Sequence, residues 1–254
     1  MLPWLSNGPA MNFTYPKSFR SRKIAANGTV IHVRIGGMGP AVVLLHGYGE
    51  TADMWAPLAA RLVQSRTVIA PDLRGMGLSA PVDEGFDKKN QAEDVAGVMD
   101  ALNVPDGAVI AHDIGNMVAF AFAAQHPGRV TRLVMMDAPV PGVGPWDEIL
   151  KHPLLWHFRF GGPDMERLVA GRERIYLDRF WNEFAADPKR FGEAARRHYA
   201  RLYARPGTCA QVSCNFWPSI RTSWITVRSS QAVGSRCQCL LLAARNPSVQ
   251  RWRS

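Results

Sequence analysis

Five short runs hold residues able to do chemistry, and Asp113 stands in the first. A buried apolar run, 109–111, leads through His112 to Asp113, and a second apolar segment begins at Ile114. Ala111 and Gly115 flank the acid two positions either side. Small flanks suit a sharp strand-to-helix turn, where backbone passes close to backbone. An aspartate at such an apex can attack an electrophilic carbon in line and form a covalent ester. Water must then cleave the ester, which needs a general base, usually histidine, held by a second carboxylate. Asp113 could instead cap the following helix. The strand before it and the helix after it favour the nucleophile.

The other runs supply partners. In His46-Gly47-Tyr48 the glycine lets the chain bend after a buried strand. The N–H groups of Tyr48 and Ile114 would then form an oxyanion hole. His46 is grouped with the substrate-binding residues, although its own side chain reads as structural, bonding loop backbone. Asp137 ends the next strand; spacing alone leaves it either the orienting carboxylate or the start of a loop. Asp72 and Arg74 read as an ion pair or turn pinning their loop. His157, between Trp156 and Phe158, could donate to a departing or opening oxygen, although spacing alone favours a packed ring.

The elements must bring these runs together. Alternating residues over 19–26 and 29–35 around Asn27-Gly28 predict a hairpin. Apolar runs predict buried strands over 41–45, 67–70, 108–111 and 130–136. Helical spacing covers 52–62, 87–102 and 116–125. Strand alternating with helix on short connections predicts a doubly wound, mainly parallel α/β sheet, whose active groups gather at strand carboxyl ends. His46, Asp72, Asp113 and Asp137 all occupy such ends. A Pro/Gly linker follows Ala138, and an aromatic-rich helical segment then runs to about 206. The predicted organisation is a core over 1–139 with a loose arm over 1–18, a helical cap over 140–206, and an aberrant tail over 207–254.

That tail breaks the composition. From 208 to 254 there is no Asp, Glu, His or Lys, but there are six Arg, three Trp and all four cysteines. Those arginines supply most of the net charge of +9, so the charge does not argue for nucleic acid. Cys237 and Cys239 stand too close, without histidine partners, to read as a zinc half-site. No apolar run reaches membrane-spanning length. The first ten residues lack the basic start and apolar core of a signal peptide, so a cytoplasmic location is expected.

Together the motifs resemble the α/β-hydrolase superfamily, above all its aspartate-nucleophile branch of epoxide hydrolases and haloacetate (fluoroacetate-type) dehalogenases. The matching pieces are His46-Gly47-Tyr48-Gly49-Glu50, the loop from Pro71 to Ser79, His112-Asp113-Ile114-Gly115, Met136-Asp137-Ala138-Pro139 and Trp156-His157-Phe158. The resemblance implies Asp113 as nucleophile and Asp137 as the acid of the triad. It implies His157, with Trp156 and Phe158, as substrate-binding, and His157 as the group holding an epoxide oxygen or a leaving halide. Phe158 stands where fluoroacetate-type enzymes place a tryptophan, which tilts the reading toward an epoxide, opened to a diol. Gly49 stands where epoxide hydrolases usually have proline. The implied partner is a small epoxide or haloacid, with no cofactor, metal, nucleic acid or membrane; a homodimer is an option.

The family's catalytic histidine should follow the eighth strand, yet this chain has no histidine after His198. No catalytic histidine is found, and only 238–244 offers a strand candidate in the tail. A reading-frame slip near Gly207 is expected: in one shifted frame, codon choices over 208–214, 236–239 and 244–252 spell family-like continuations. The expected consequences are a covalent ester that persists, and a sheet with an open edge, poor stability and no closing helix. The alternative of another class is a non-catalytic truncated product.

Overall fold

The computed structural model describes residues 13–205 and 238–242. The Asn27-Gly28 turn joins β1 (Arg20–Ala26) to β2 (Thr29–Gly36) in an antiparallel hairpin. Both turn residues have positive φ, 45° and 74°, as a tight two-residue hairpin requires. The buried runs form β3 (Ala41–Leu45), β4 (Thr67–Pro71), β5 (Gly107–His112) and β6 (Val130–Met136). The sheet order is β1-β2-β4-β3-β5-β6-β7. β2 meets β4 antiparallel, and all later neighbours are parallel.

β7 (Gln238–Leu242) lies within the strand suggested over 238–244 and pairs with β6 from Arg132↔Gln238 to Met136↔Leu242. β7 thus covers β6, and among the described residues the sheet ends at β7. The expected closing helix and the frame slip near Gly207 lie outside the described residues, as does most of the loose arm over 1–18.

β3 shows why these runs are continuously apolar. Val43 and Leu45 pack into the core formed with α2 (Lys88–Ala101) and α3 (Ile114–Gln125). Val42 and Leu44 face the opposite layer, with Trp55 and Ala59. A strand covered on both faces needs apolar residues at every position. The helix predicted over 52–62 divides into a 3-10 turn, Ala52–Trp55, and α1 (Ala56–Leu62). Pro57 is the reason: it lacks the N–H that would continue one helix through it, and it suits the first turn of a new one.

Asp72 and Arg74 do pin their loop, but through separate partners. The Asp72 carboxylate accepts from the Ala52 and Leu78 N–H groups at 2.7 and 2.8 Å, and pairs with His32 at 2.8 Å. His32 also meets Ser21 at 2.6 Å. Burial favours the neutral acid, but the His32 bond and charge hold its pKa below the usual carboxylate range. Arg74 pairs with Asp94 through two bonds, at 2.5 and 2.8 Å.

Residues 140–205 contain no strand. They form α4 (Trp146–Lys151), a 3-10 segment Pro153–Arg159, α5 (Pro163–Val169), α6 (Glu173–Glu183) and α7 (Glu193–Tyr203). The segment touches the sheet's carboxyl-end loops. The Tyr203 hydroxyl donates to the Glu50 carbonyl, and the Tyr176 and Tyr48 hydroxyls are 2.6 Å apart. His198 lies on α7, pairs with Asp53 at 3.0 Å and stacks on Phe13. No helix among the described residues is long and apolar enough to cross a membrane.

Candidate active site

Asp113 sits between β5 and α3 at φ 49° and ψ −120°. A non-glycine residue held there costs about 1–3 kcal/mol, a strain typical of functional turns. Gly115 makes the turn feasible, because a Cβ there would stand 2.6 Å from the Leu45 carbonyl oxygen and 2.7 Å from that of His46. The side chain makes no capping bond to α3. Instead its Oδ2 accepts the Tyr48 N–H at 2.8 Å, and the Ile114 N–H acts on the same carboxylate. Asp113 thus accepts from the Tyr48 N–H, one of the two groups expected of the oxyanion hole. Burial raises its pKa, and the charge of His112 opposes that rise.

The loop carrying Tyr48 is rigidly held. His46 is fully buried, its Nε2 accepting from the Leu73 N–H and its Nδ1 bonding the Gly47 carbonyl, both at 2.9 Å. With both ring nitrogens committed to backbone, His46 shapes the loop; its placement among substrate-binding residues is corrected to a structural role. Burial depresses its pKa, which keeps the accepting nitrogen free of a proton.

Sequence reasoning missed one pair at this centre. Glu50 Oε2 accepts from the Gly47 N–H and from His112 Nδ1, each at 2.9 Å. A Cβ on Gly47 would lie 2.6 Å from that oxygen, 2.7 Å from His112 Nδ1 and 2.9 Å from Asp113 Cβ, so the three side chains converge on one glycine. Burial opposes charge on His112, but Glu50 above all, with Asp113 and Asp137, lifts its pKa to about 9. Burial likewise opposes charge on Glu50, and His112 holds its pKa down. Both residues stood inside the motifs; their 62-residue separation hid the pairing.

Asp137 follows the last β5–β6 register pair, His112↔Met136. It therefore leaves the sheet beside Asp113, whose N–H bonds the Met136 carbonyl at 3.2 Å. Asp137 has φ 58° and is exposed. Among the described residues it makes no hydrogen bond or ion pair.

His157 is buried in the 3-10 segment, its ring 6.0 Å from that of Tyr48 and 5.0 Å from that of Phe180. Phe158 is buried edge-on to Trp146. Trp156 is partly exposed and packs against Phe160 and Tyr176. The structure thus joins His157 to Tyr48 through ring packing and directs Trp156 and Phe158 toward the packing of the helical segment.

The family model for the alpha/beta hydrolase fold matches residues 40–225. The chain belongs to this family. A soluble epoxide hydrolase from Corynebacterium sp. (strain C12) is 34% identical over 190 residues, covering 72% of this chain and 66% of that protein. A fluoroacetate dehalogenase from Burkholderia sp. is 29% identical over 213 residues, covering 79% and 69%. The chain thus spans about two thirds of these curated relatives, and less of others, such as 43% of a 2-hydroxymuconate semialdehyde hydrolase from Pseudomonas sp. (strain CF600). Among solved structures, epoxide hydrolase CorEH without ligand superimposes with a TM-score of 0.77 at 26% identity, covering 89% of this chain and 90% of that one.

Proposed function

We propose that this α/β-hydrolase opens an epoxide through a covalent ester on Asp113 and has lost the rapid hydrolysis of that ester. The observation that carries the reading is the Asp113 carboxylate at the strained apex, seated on the Tyr48 N–H at 2.8 Å. An Asp113 oxygen attacks an epoxide carbon, the ring C–O bond breaks, and its electrons pass to the ring oxygen. His157, in the cap formed by α4–α7, stabilises that oxygen. The Tyr48 and Ile114 N–H groups then hold the ester carbonyl and would stabilise its oxyanion during hydrolysis. Asp137 is the carboxylate proposed to orient a general base, and among the described residues no histidine is bonded to it.

Two features favour a neutral epoxide over a haloacid. Ile114 and Met117, in the first turn of α3, are buried and apolar. The cation nearest the nucleophile in sequence, His112, is already paired with Glu50, so a substrate carboxylate would have to compete for it. The epoxide hydrolase relative supports the same choice. The dehalogenase relative keeps halide displacement by the same Asp113 as the second reading.

Intact-mass spectrometry after incubation with styrene oxide tests the proposal. The expected result is one added epoxide per chain, mapped to Asp113 and absent in Asp113→Asn. Sustained diol formation without adduct would overturn the trapped ester. Halide release from fluoroacetate or chloroacetate, with neither adduct nor diol from the epoxide, would transfer the reading to dehalogenation.

A further inference from the structure

A second group of residues, outside the Asp113 site, brings together a hydroxyl, an imidazole and a carboxylate. Ser21 is exposed on β1, and its Oγ lies 2.6 Å from Nε2 of His32 on β2. Nδ1 of the same ring lies 2.8 Å from Asp72 Oδ2. The ring and the acid are buried, while Ser21 is open to solvent. The hairpin register explains the grouping. Ser21 pairs with Arg34 and Lys23 with His32, so these four side chains share one face. Asp72 follows Pro71, the β4 partner of Val33, and its N–H bonds the His32 carbonyl at 2.8 Å.

These contacts give each hydrogen a direction. An ionised carboxylate only accepts, so His32 Nδ1 donates to Asp72. In the neutral ring Nε2 is then the acceptor, and the Ser21 hydroxyl donates to it. A hydroxyl in that arrangement is activated, because the base that takes its proton is already in contact with it. Asp72 is itself held, accepting from the Ala52 and Leu78 N–H groups at 2.7 and 2.8 Å. Burial opposes its charge, but the His32 bond and charge keep its pKa below the ordinary carboxylate range. Pinning the loop requires Asp72 and His32; it does not require an exposed hydroxyl on the outer strand.

We propose that Ser21 is a second nucleophile of this chain, with His32 as its base and Asp72 as the positioning residue, and that it takes the acyl group of a small activated ester. The site is independent of the epoxide reading and of Asp113. The Ser21 oxygen attacks the ester carbonyl carbon while its proton passes to His32 Nε2. The carbonyl oxygen becomes negative. Its electrons then re-form the carbonyl, and the leaving oxygen departs with the C–O electron pair and the proton from His32. Two features suit the negative oxygen. Arg34, paired with Asp53 at 3.4 Å, puts a positive charge on the face that carries Ser21. β1 is the first strand of the sheet among the described residues, so N–H groups at alternate positions along its outer edge are unpaired within the sheet. Ser21 or its neighbour Arg22 therefore offers one.

A biotinylated fluorophosphonate tests this on the full chain: a serine oxygen bonds its phosphorus and fluoride leaves with the P–F electron pair. Ser18 and Ser65 are also exposed and bond no histidine among the described residues, so they serve as internal references. Peptide mapping is expected to show Ser21 labelled about a hundredfold faster than either, the range of general-base assistance. Ser21→Ala should remove that label, Asp113→Asn should keep it, and His32→Gln should bring Ser21 down to the reference rate. Incubation with p-nitrophenyl acetate should place one acetyl group on Ser21. Nitrogen-15 NMR should show one hydrogen on the wild-type His32 ring at neutral pH, carried by Nδ1. Equal labelling of the three serines in wild type would overturn the proposal, even if His32→Gln failed to fold. So would a Ser21 that takes no acetyl group, or a His32 ring with hydrogens on both nitrogens at neutral pH. None of these readouts depends on whether an epoxide alkylates Asp113.

Discussion

A protonated imidazole beside Asp113 gives this centre an electrostatic asymmetry. Glu50 holds His112 charged, and His112 in turn opposes the burial that raises the Asp113 pKa. Removing that positive charge must raise the Asp113 pKa further, because an opposite charge favours the ionised acid. His112→Gln is therefore expected to shift the acid limb of the ester-formation rate to higher pH, measured as adduct formation against pH. The pair also links stability to pH. The folded His112 pKa, about 9, lies above its ordinary 6.5, so its contribution is complete below pH 6.5 and disappears as pH rises through 9. Glu50 has a lowered pKa, so its contribution is complete above its ordinary 4.5 and lost in more acid solution. The Tm gap between wild type and His112→Gln should be widest between pH 4.5 and 6.5 and close above pH 9. A gap that widens above pH 9 would contradict this linkage.

At the scale of elements, the elbow depends on how close α3 comes to the end of β3. A methyl group on Gly115 would press on two carbonyl oxygens of the β3 terminus, and backbone cannot yield as a side-chain tip can. Gly115→Ala is expected to cost about 1–3 kcal/mol, as overpacking does, and to displace Asp113. Gly128, beyond α3, has nothing within 4 Å of a built Cβ, so Gly128→Ala should be near neutral. Urea denaturation of the two variants checks the contrast; equal losses would remove the close-approach argument. The elbow was legible in sequence because its cause is local: an apolar strand, two small flanks and an apolar helix start. The boundaries of β3 and β6 were legible for the same reason. Partnerships between distant segments were not. Arg74 meets Asp94 across 20 residues, Glu50 meets His112 across 62, and His198 meets Asp53 across 145. Only the packing of α2, the β3 loop and α7 decides those pairs. Pro57 was visible, but the apolar spacing on either side of it concealed the break.

At the scale of the whole molecule, all seven histidines of the chain lie among the described residues, and six have local duties away from Asp137 or bound to another partner. His32 serves Asp72, His46 the backbone, His112 Glu50, His126 Glu93, His152 the Leu154 N–H and His198 Asp53. The seventh, His157, packs against Arg179 and Tyr48. None is bonded to Asp137 as the proposed hydrolytic base would be. On the proposed reading, an ester on Asp113 would have its carbonyl on the Tyr48 N–H and, among the described residues, no histidine bonded to Asp137 to activate water. A nucleophile that needs no activation should bypass the deficit. Hydroxylamine added to the alkylated protein is expected to attack the Asp113 carbonyl carbon, release the diol and leave a hydroxamate at that residue, read by peptide mass spectrometry. In plain buffer at neutral pH the adduct should persist over the same period. Equal loss of the adduct in buffer and in hydroxylamine, with unmodified Asp113 recovered in both, would show that the chain activates water after all and would return the search for its base to His112.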